Sequence, residues 1–525
     1  EPTGQSQKCR PTCSTTSKGL GRHTATHAAT MKPSMHAFKP SEHLRIVLTS
    51  VLFMLVGAAG NIATVHPELA SSDISSTVTQ DVYASSNELP VWLYSNTWGK
   101  VPDDSLSSIT SVETNGQIEF ENDVSLYGSL GLSFRIFDDQ ADLQLSQTFL
   151  AADWKGIRLR GGIARERRGD IPMPDLSSGS LSISGNAQPV PNIQFWSPEY
   201  LSLPYSNESI AVKAGLSHGW FTGDRWIDNT LLHEKWTYIR FGGPDDSVSL
   251  YGGLIHQVLW GGSLDPDSAG SEPARASWSN FIRVLTARSG GDDAPETDQL
   301  NVIGDQLGTY DIGFSWNHEH VKIEGYYQHF FEDGSGMRWR NGLDGLFGIA
   351  GTAEHGIPIV PSMLTYERIL TNYQSGQFLD ATVDGEKVVL GGQDSYYHNG
   401  VYRTGWSHQD RILGTPLFVL QGTGAQARIA SNRIRGHHVG VGGSVTEDIE
   451  YRLLSSHAWH YPAYAEETIV ADDRQKLQQW NALVEVAYQF PYQQSQAKVL
   501  ARIGWDIGSV YDDTWGAGLG LSVEY

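Results

Sequence analysis

"WGAGLGLSVEY", residues 515–525, ends the chain. Successive side chains of a strand point to opposite faces. Ala517, Leu519, Leu521, Val523 and Tyr525 therefore share one side of an extended ribbon, and Gly516, Gly518, Gly520, Ser522 and Glu524 share the other. The ribbon stops on an aromatic residue, which is how bacterial outer-membrane barrels usually end. The same period of two runs back through the chain. "GQIEFENDVSLYG" (116–128) sets Ile118, Phe120, Val124 and Leu126 against Gln117, Glu119, Glu121, Asp123 and Ser125. "SIAVKAGLSHGWF" (209–221) sets Ile210, Val212, Ala214, Leu216 and Trp220 against Lys213, Gly215, Ser217 and Gly219. "VKIEGYYQHFF" (321–331) sets Val321, Ile323, Tyr327 and Phe331 against Lys322, Glu324 and Gln328. In "LARIGWDI" (500–507), Ala501, Ile503, Trp505 and Ile507 oppose Arg502, Gly504 and Asp506. Asn122 and His218 are blemishes in the pattern.

A soluble sandwich also alternates, so the solvent must be decided by other features. The repeats run to roughly ten residues, the length of a tilted bilayer-spanning strand, and aromatics gather at their ends. A one-residue slip would turn Glu119, Glu121 and Asp123 towards lipid, at a cost of up to a few kcal/mol each. These features predict an all-β fold: a closed antiparallel transmembrane β-barrel of about 18 strands, with 16 as the alternative, and short helices in the plug and extracellular loops. The totals fit. The chain has 525 residues, 56 of them glycine, with 10% aromatic and 18% charged residues. Its mean hydropathy of −0.31 is unlike that of a helical membrane protein. The net charge of −22 argues against nucleic acid as a partner, because phosphate binding needs clustered Lys and Arg.

"LRIVLTSVLFMLVGAAG" (44–60) has the length and small-residue ending of a signal-peptide core, a stop-transfer anchor being the alternative. The expected organisation is upstream sequence over 1–30, a signal peptide over 31–63, a periplasmic N-terminal or plug segment over 64–113, and the barrel over 114–525. Cys9 and Cys13 fall in the first piece, so the mature chain is expected to lack disulfides, Cys-ligated metals and Cys nucleophiles. One helix stands out: Trp278, Phe281, Ile282 and Leu285 recur at helical spacing before Gly290, so that the helix lies outside or folds into the mouth. "HEH" (318–320) reads as a tight periplasmic turn, which sends the chain outward through Val321–Phe331. Tyr326, Tyr327, Phe330 and Phe331 then read as an outer aromatic belt, and "EDGSGMRWRNG" (332–342) as the start of a long surface loop reaching towards Met363.

Within that loop "MRWRN" places Arg338 and Arg340 around Trp339, with Glu332 and Asp333 nearby. "YRTGWSHQDR" repeats the idea with Tyr402, Arg403, Trp406, His408 and Arg411. Rings cover sugar C–H faces, and guanidinium forks bind carboxylates. Both clusters are candidate polysaccharide-binding sites; the competing reading is that their Arg–acid pairs only tie loops together. Catalytic signals are poor. "GLSHG" (215–219) matches a nucleophile-elbow pattern, yet Ser217 is expected mid-strand rather than at a strand-to-helix turn. His437 and His438 point to opposite faces, and "DPDSAGSE" (265–272) lacks calcium-loop spacing, so neither metal nor cofactor is expected.

The blocks 326–349, 364–376, 394–417, 432–443 and the strand 232–242 together resemble the capsule-assembly Wzi family, in the family's order over most of 110–525. The resemblance implies an outer-membrane barrel plugged by loops and helices. It also implies a lectin-like, non-enzymatic role in holding capsular or exopolysaccharide at the cell surface. Outer-membrane lipid and polysaccharide export machinery are the further partners it implies. The alternative is a pore for sugars or polysaccharide export; a surface hydrolase is a third and weaker reading.

Overall fold

The computed structural model describes residues 69–525 except 121–122, 139, 244, 292–298, 300–301, 354–360, 377–379, 384–385, 390–391, 393 and 464–475. The upstream and signal-peptide assignments, both cysteines, and Glu121 and Asn122 lie outside the described residues.

Eighteen antiparallel strands close into one barrel. They are β1 (Leu69–Ser85), β2 (Leu106–Phe120), β3 (Val124–Phe137), β4 (Gln140–Trp154), β5 (Ile157–Ile163) and β6 (Asn192–Trp196), which resumes at Leu201–Ser202. Next come β7 (Ile210–Trp220), β8 (Leu231–Phe241), β9 (Val248–Trp260), β10 (Asp305–His318), β11 (Val321–Phe331) and β12 (Gly345–Ala353). The set ends with β13 (Met363–Leu370), β14 (Ile434–Ser444), β15 (Ile449–His460), β16 (Leu477–Tyr492), β17 (Ser495–Gly508) and β18 (Thr514–Glu524). Each strand pairs with the next, and β1 pairs with β18 from Thr77↔Glu524 to Ser85↔Gly516, so the sheet has no free edge. The expected faces hold in the described strands. Ile503, Ile507, Leu519 and Leu521 are exposed on the outside, while Asp506 and Gly516, Gly518 and Gly520 are buried within.

The two ends of the barrel differ. At one end the links are short: 121–123, 155–156, 203–209, 242–247, 319–320, 354–362, 445–448 and 493–494. Both Leu69 and Glu524 lie at this end. The other end carries 86–105, 164–191, 261–304 and 371–433. The "HEH" turn is tight and sits at the short-turn end, as its spacing predicts.

Three expectations need correction. First, the described part of the expected plug segment 64–113, residues 69–113, is mostly wall: β1 and the first half of β2 are wall strands, and the link 86–105 with α1 (Val91–Tyr94) turns inward. Their period was masked because the outward side of β1 alternates Ile74, Val78 and Val82 with Ser76 and Gln80, leaving only every fourth residue apolar. Among the described residues barrel wall therefore already runs from Leu69, ahead of 114. Second, the loop opened by Glu332 does not run to Met363. It closes at Asp344, and β12 follows, a strand hidden in the sequence because Gly345, Gly348 and Gly351 thin out its apolar residues. Gly348 must be small: a Cβ there would fall inside the Tyr326 ring, its direct cross-strand partner. Tyr238 lies across Gly253, Tyr251 across Gly313 and Tyr83 across Gly518 in the same manner. Third, Tyr326 and Phe330 are not in the outer belt. They face the lumen at 5% and 1% exposure, and only Tyr327 and Phe331 point outward.

Much of the lumen is occupied by the chain itself. Segment 164–191 enters from the long-loop end and reaches Gly440 and Gly442, where Leu176 packs. Its Ser177 Oγ and Ser178 N donate to the buried carboxylate of Glu367 on β13 at 2.6 and 2.7 Å, and Tyr326 Oη donates to the same group at 2.6 Å. Arg168 is the other anchor. Its Nη1 donates to Glu166 at 3.0 Å, its Nε to Glu234 on β8 at 3.2 Å and its Nη2 to Gln194 at 2.8 Å, with Trp236 4.2 Å beneath. Arg160 on β5 holds the far side of Glu166 at 2.5 Å. Above these, Leu181, Phe330, Tyr396, Tyr397, Trp406 and Phe418 form an apolar core inside the barrel.

Burial pushes the Glu166 carboxyl up, but Arg168 and Arg160 outweigh it and hold the group below its usual range. That contribution is present above the ordinary carboxylate pKa and is lost as pH falls through the lowered value. Arg168→Met strands Glu234 without its cation and is expected to cost roughly 3–5 kcal/mol. The expected readout is a lower urea midpoint and new protease cleavage within 164–191, with part of the loss recovered in Arg168→Met/Glu234→Gln.

Candidate functional site

The long-loop end carries both sequence-identified clusters, and the structure treats them differently. In the first, Asp333 Oδ1 accepts from Ser335 N at 2.8 Å and Gly336 N at 2.9 Å, capping the 3₁₀ turn Gly336–Arg338. Glu332 turns inward and accepts from Tyr397 N. Trp339 adopts φ 62° and folds over the outer wall, where its ring stacks on His329 at 3.8 Å beside Tyr310 and Tyr327. Trp339 thus extends the outer belt rather than the mouth. Arg338 and Arg340 remain exposed on the loop.

The second cluster is mostly internal. Tyr402, Trp406 and His408 are 3%, 0% and 1% exposed and cannot present a ring to a sugar. Tyr402 Oη reaches the Gly261 carbonyl at 3.2 Å. His408 bridges the Gln188 carbonyl at 2.8 Å and the Thr222 hydroxyl at 3.0 Å, and burial pushes its pKa down to about 4. Arg411 pairs with Asp103 at 3.2 Å and lies 4.1 Å over Tyr94, fastening the loop to the segment after α1. In this structure these four side chains make contacts within and between loops. The sequence pattern misled because an Arg–aromatic run looks the same whether it ties loops or binds ligand.

Arg403 is the exception. Its guanidinium lies 4.4 Å over the ring of Trp226, which comes from the link between β7 and β8. His398 lies beside it, partly open to solvent and partly covered by the loop. Burial is the main reason the imidazole is held below its ordinary value, and the Arg428 and Arg403 guanidiniums add to the effect. Arg428 reaches Gln426 at 3.4 Å on the surface. The patch Trp226, His398, Arg403 and Arg428 thus combines one ring and two cations at the mouth of an acidic protein. Trp226, His398 and Arg428 were not singled out in the sequence. They sit in two links, 221–230 and 371–433, and are far apart in sequence until those links meet.

The structure also places the other residues that the sequence singled out. Ser217 lies mid-strand on β7 facing the lumen. His438 faces inward, bonded to Ser456 at 2.7 Å and to the Leu176 carbonyl at 2.9 Å, while His437 faces outward against Tyr366 and Trp459. Among the described residues no group of three or more His, Cys, Asp or Glu is placed to hold a metal ion.

No family model matches the sequence, and no curated protein matches it. Solved structures do match. Wzi, an outer membrane protein involved in group 1 capsule assembly in Escherichia coli and described as a carbohydrate binding β-barrel, is 15% identical. The match covers 93% of this chain and 89% of that one, at a TM-score of 0.50. OccK5 (OpdH) of Pseudomonas aeruginosa is 9% identical over 87% of this chain and 99% of that one, at a TM-score of 0.46. The outer membrane channel DcaP of Acinetobacter baumannii is 11% identical over 87% and 96%, at 0.37. At 15% identity, what this chain shares with Wzi is the barrel fold.

Proposed function

We propose that this chain is an outer-membrane barrel that holds an acidic capsular or exopolysaccharide at its long-loop mouth and so helps capsule assembly or attachment. One observation carries the reading: Arg403 stacked on Trp226, with Arg428 and His398 beside it, on top of a lumen closed by its own chain. The ring offers a face for sugar C–H bonds, and the two guanidiniums offer forks for carboxylates. In a chain of −22 the attraction is local, acting over a screening length of about 8 Å at physiological salt. That a barrel of the same fold is described as carbohydrate binding and involved in capsule assembly supports the reading. On it, the long loops face outward from the cell, the short turns face the periplasm, a signal peptide delivers the chain, and the role is binding without catalysis. Polysaccharide export machinery is the partner that would deliver the glycan.

The second reading is a pore. Cavities of about 320 Å³ beside Arg165, Arg168 and Lys213, and about 560 Å³ beside Arg452, Lys498 and Arg502, favour it. Both lie in the short-turn half of the lumen, on either side of the inserted segment. The closed reading expects almost no conductance in planar bilayers, and open-channel currents only once 164–191 is deleted. Large currents from the intact chain would favour the pore.

Binding of an acidic polysaccharide to the refolded chain is expected to weaken about tenfold in Arg403→Ala, or roughly 1.4 kcal/mol, and to fall with added salt. Arg411→Ala should leave affinity unchanged, because that side chain is committed to Asp103 and Tyr94. Titration against glycans on a sensor surface checks both, and equal affinities would remove the patch from the reading.

The pH dependence has a definite sign. His398 is neutral at pH 7 and gains its proton only below the ordinary imidazole value. Affinity for a carboxylated glycan should therefore rise as pH falls below that value, until the glycan's own carboxylates protonate. His398→Asn should flatten the rise.

A further inference from the structure

The outer wall contains a group of polar side chains that a hydrocarbon-facing surface should not carry. His218 on β7, His233 and Lys235 on β8, His256 on β9 and Gln306 on β10 all point outward, in register with the exposed Leu216, Ile239, Leu250 and Ile312. They cluster in the half of these strands nearest the long loops. Yet they are covered: His233 is 0% exposed.

The cover is α2 (Trp278–Leu285), from the link between β9 and β10. The helix lies against the outside of the barrel, settling the expectation that it either lies outside or enters the mouth. Phe281 meets His218 and His233 edge-on at 5.4 and 5.8 Å and tilts against Trp260 at 6.1 Å. Val284, Ala274 and Ile303 close an apolar cluster with Val258 and Trp260 of β9. Lys235 Nζ donates to the Leu285 carbonyl at the last turn, where a cation suits the free carbonyls. Ser277 caps the first turn by accepting from Asn280 N at 3.2 Å.

This helix has two apolar sides. At 100° per residue, Asn280 and Val284 face the wall, whereas Trp278 and Ile282 point away from it at 83% and 50% exposure. Ser279 and Arg283 occupy the third side. Arg275, Arg283 and Arg288 fall within "PARASWSNFIRVLTARSGG" (273–291), a stretch without a single Asp or Glu in a chain of −22. Its second apolar side adds to the exposed apolar surface of the outer wall, to which Leu216 and Trp220 of β7 also belong.

We propose that α2 is an interfacial strap that inserts Trp278 and Ile282 into the outer-facing lipid leaflet, with Arg275, Arg283 and Arg288 meeting phosphorylated lipid headgroups. Aromatic and aliphatic side chains below, and cations above, are what a helix lying in a membrane interface presents. The strap also keeps the five polar wall residues out of hydrocarbon, where each charge would cost up to a few kcal/mol. The inference rests on the barrel spanning a bilayer and is independent of any glycan.

The test uses the full chain with Cys9 and Cys13 replaced by Ser, and an environment-sensitive fluorophore on Ile282→Cys, Ser279→Cys or Arg338→Cys. The labelled proteins are reconstituted into phosphatidylcholine vesicles with and without lipid A. The label at 282 should emit to the blue of the one at 338 and be quenched roughly twofold by lipids brominated on the acyl chain, whereas the labels at 279 and 338 respond to aqueous iodide. A 282 label as open to iodide as that at 338 would overturn the strap. Shielding from both quenchers, with energy transfer between differently labelled chains, would overturn it in favour of a second copy covering the face. Arg283→Glu/Arg288→Glu should reduce bromine quenching at 282 in lipid A vesicles but not in pure phosphatidylcholine; equal loss in both would overturn the phosphate contact. Retention of the heat-sensitive compact band on gels shows that each variant is folded.

Discussion

The ion pairs and hydrogen bonds that pin segment 164–191 to the wall decide what kind of barrel this is. A closed sheet satisfies its own backbone but leaves a wide lumen whose inner face is polar. Whether that lumen conducts depends on what occupies it. Here Arg168 joins Glu166 of the segment to Glu234 of β8, and Glu367 of β13 accepts from Ser177 and Ser178. The two anchors sit on different parts of the wall, so the segment cannot swing out without stranding a buried charge. Burying charge is costly unless every group is paired, and the inward glycines that let Tyr83, Tyr238 and Tyr326 lie flat keep the wall close enough for that pairing.

The same constraint explains an inverted core. In a soluble barrel the apolar residues fill the inside and the outside is wet. In this chain Ile503, Leu519 and Ile312 are exposed outside, and yet Leu181, Tyr396, Trp406 and Phe418 form a second apolar cluster inside the long-loop half. Wall strands contribute few of these. They belong mainly to inserted segments, which fold as a small globular unit with the barrel as its container. Arg225 joins this unit to the link after β7 by donating to the Ser407 and Gly405 carbonyls, and burial holds its pKa down to about 10.

The wall was legible in the sequence where a strand alternates strongly, as β18, β17, β11 and β7 do, because a period of two is a property of one strand alone. It was illegible in β1, whose outward positions are half serine and glutamine, and in β12, where glycine stands in for side chains. The inward direction of Tyr326 and Phe330 follows from the alternation already visible with Tyr327 and Phe331; an aromatic run invited all four to be counted as belt. The helix was found from its spacing, but its place was not. Nothing local distinguishes a helix at a mouth from one on a wall, because the distinction lies in His218, His233 and His256, which meet only after three strands pair.

The candidate site shows where residue chemistry alone stops. Arginine over an aromatic ring recurs in three settings. In the lumen, Arg168 over Trp236 is enclosed by two carboxylates and serves to hold a segment. At the inner edge of the mouth, Arg411 over Tyr94 has its charge taken by Asp103 and serves as a fastener. On the mouth, Arg403 over Trp226 has another guanidinium and an imidazole for company, and among the described residues no carboxylate pairs with it. A guanidinium already matched by an acid gains little from a second anion, since its field is cancelled at short range. One whose neighbours are cations is destabilised until an anion arrives. On the proposed reading, the difference between a structural pair and a binding pair is thus set by the third group. For Arg411 that group, Asp103, comes from a distant link, and for Arg403 it comes from elsewhere in 371–433, so the motif "YRTGWSHQDR" reads uniformly in sequence.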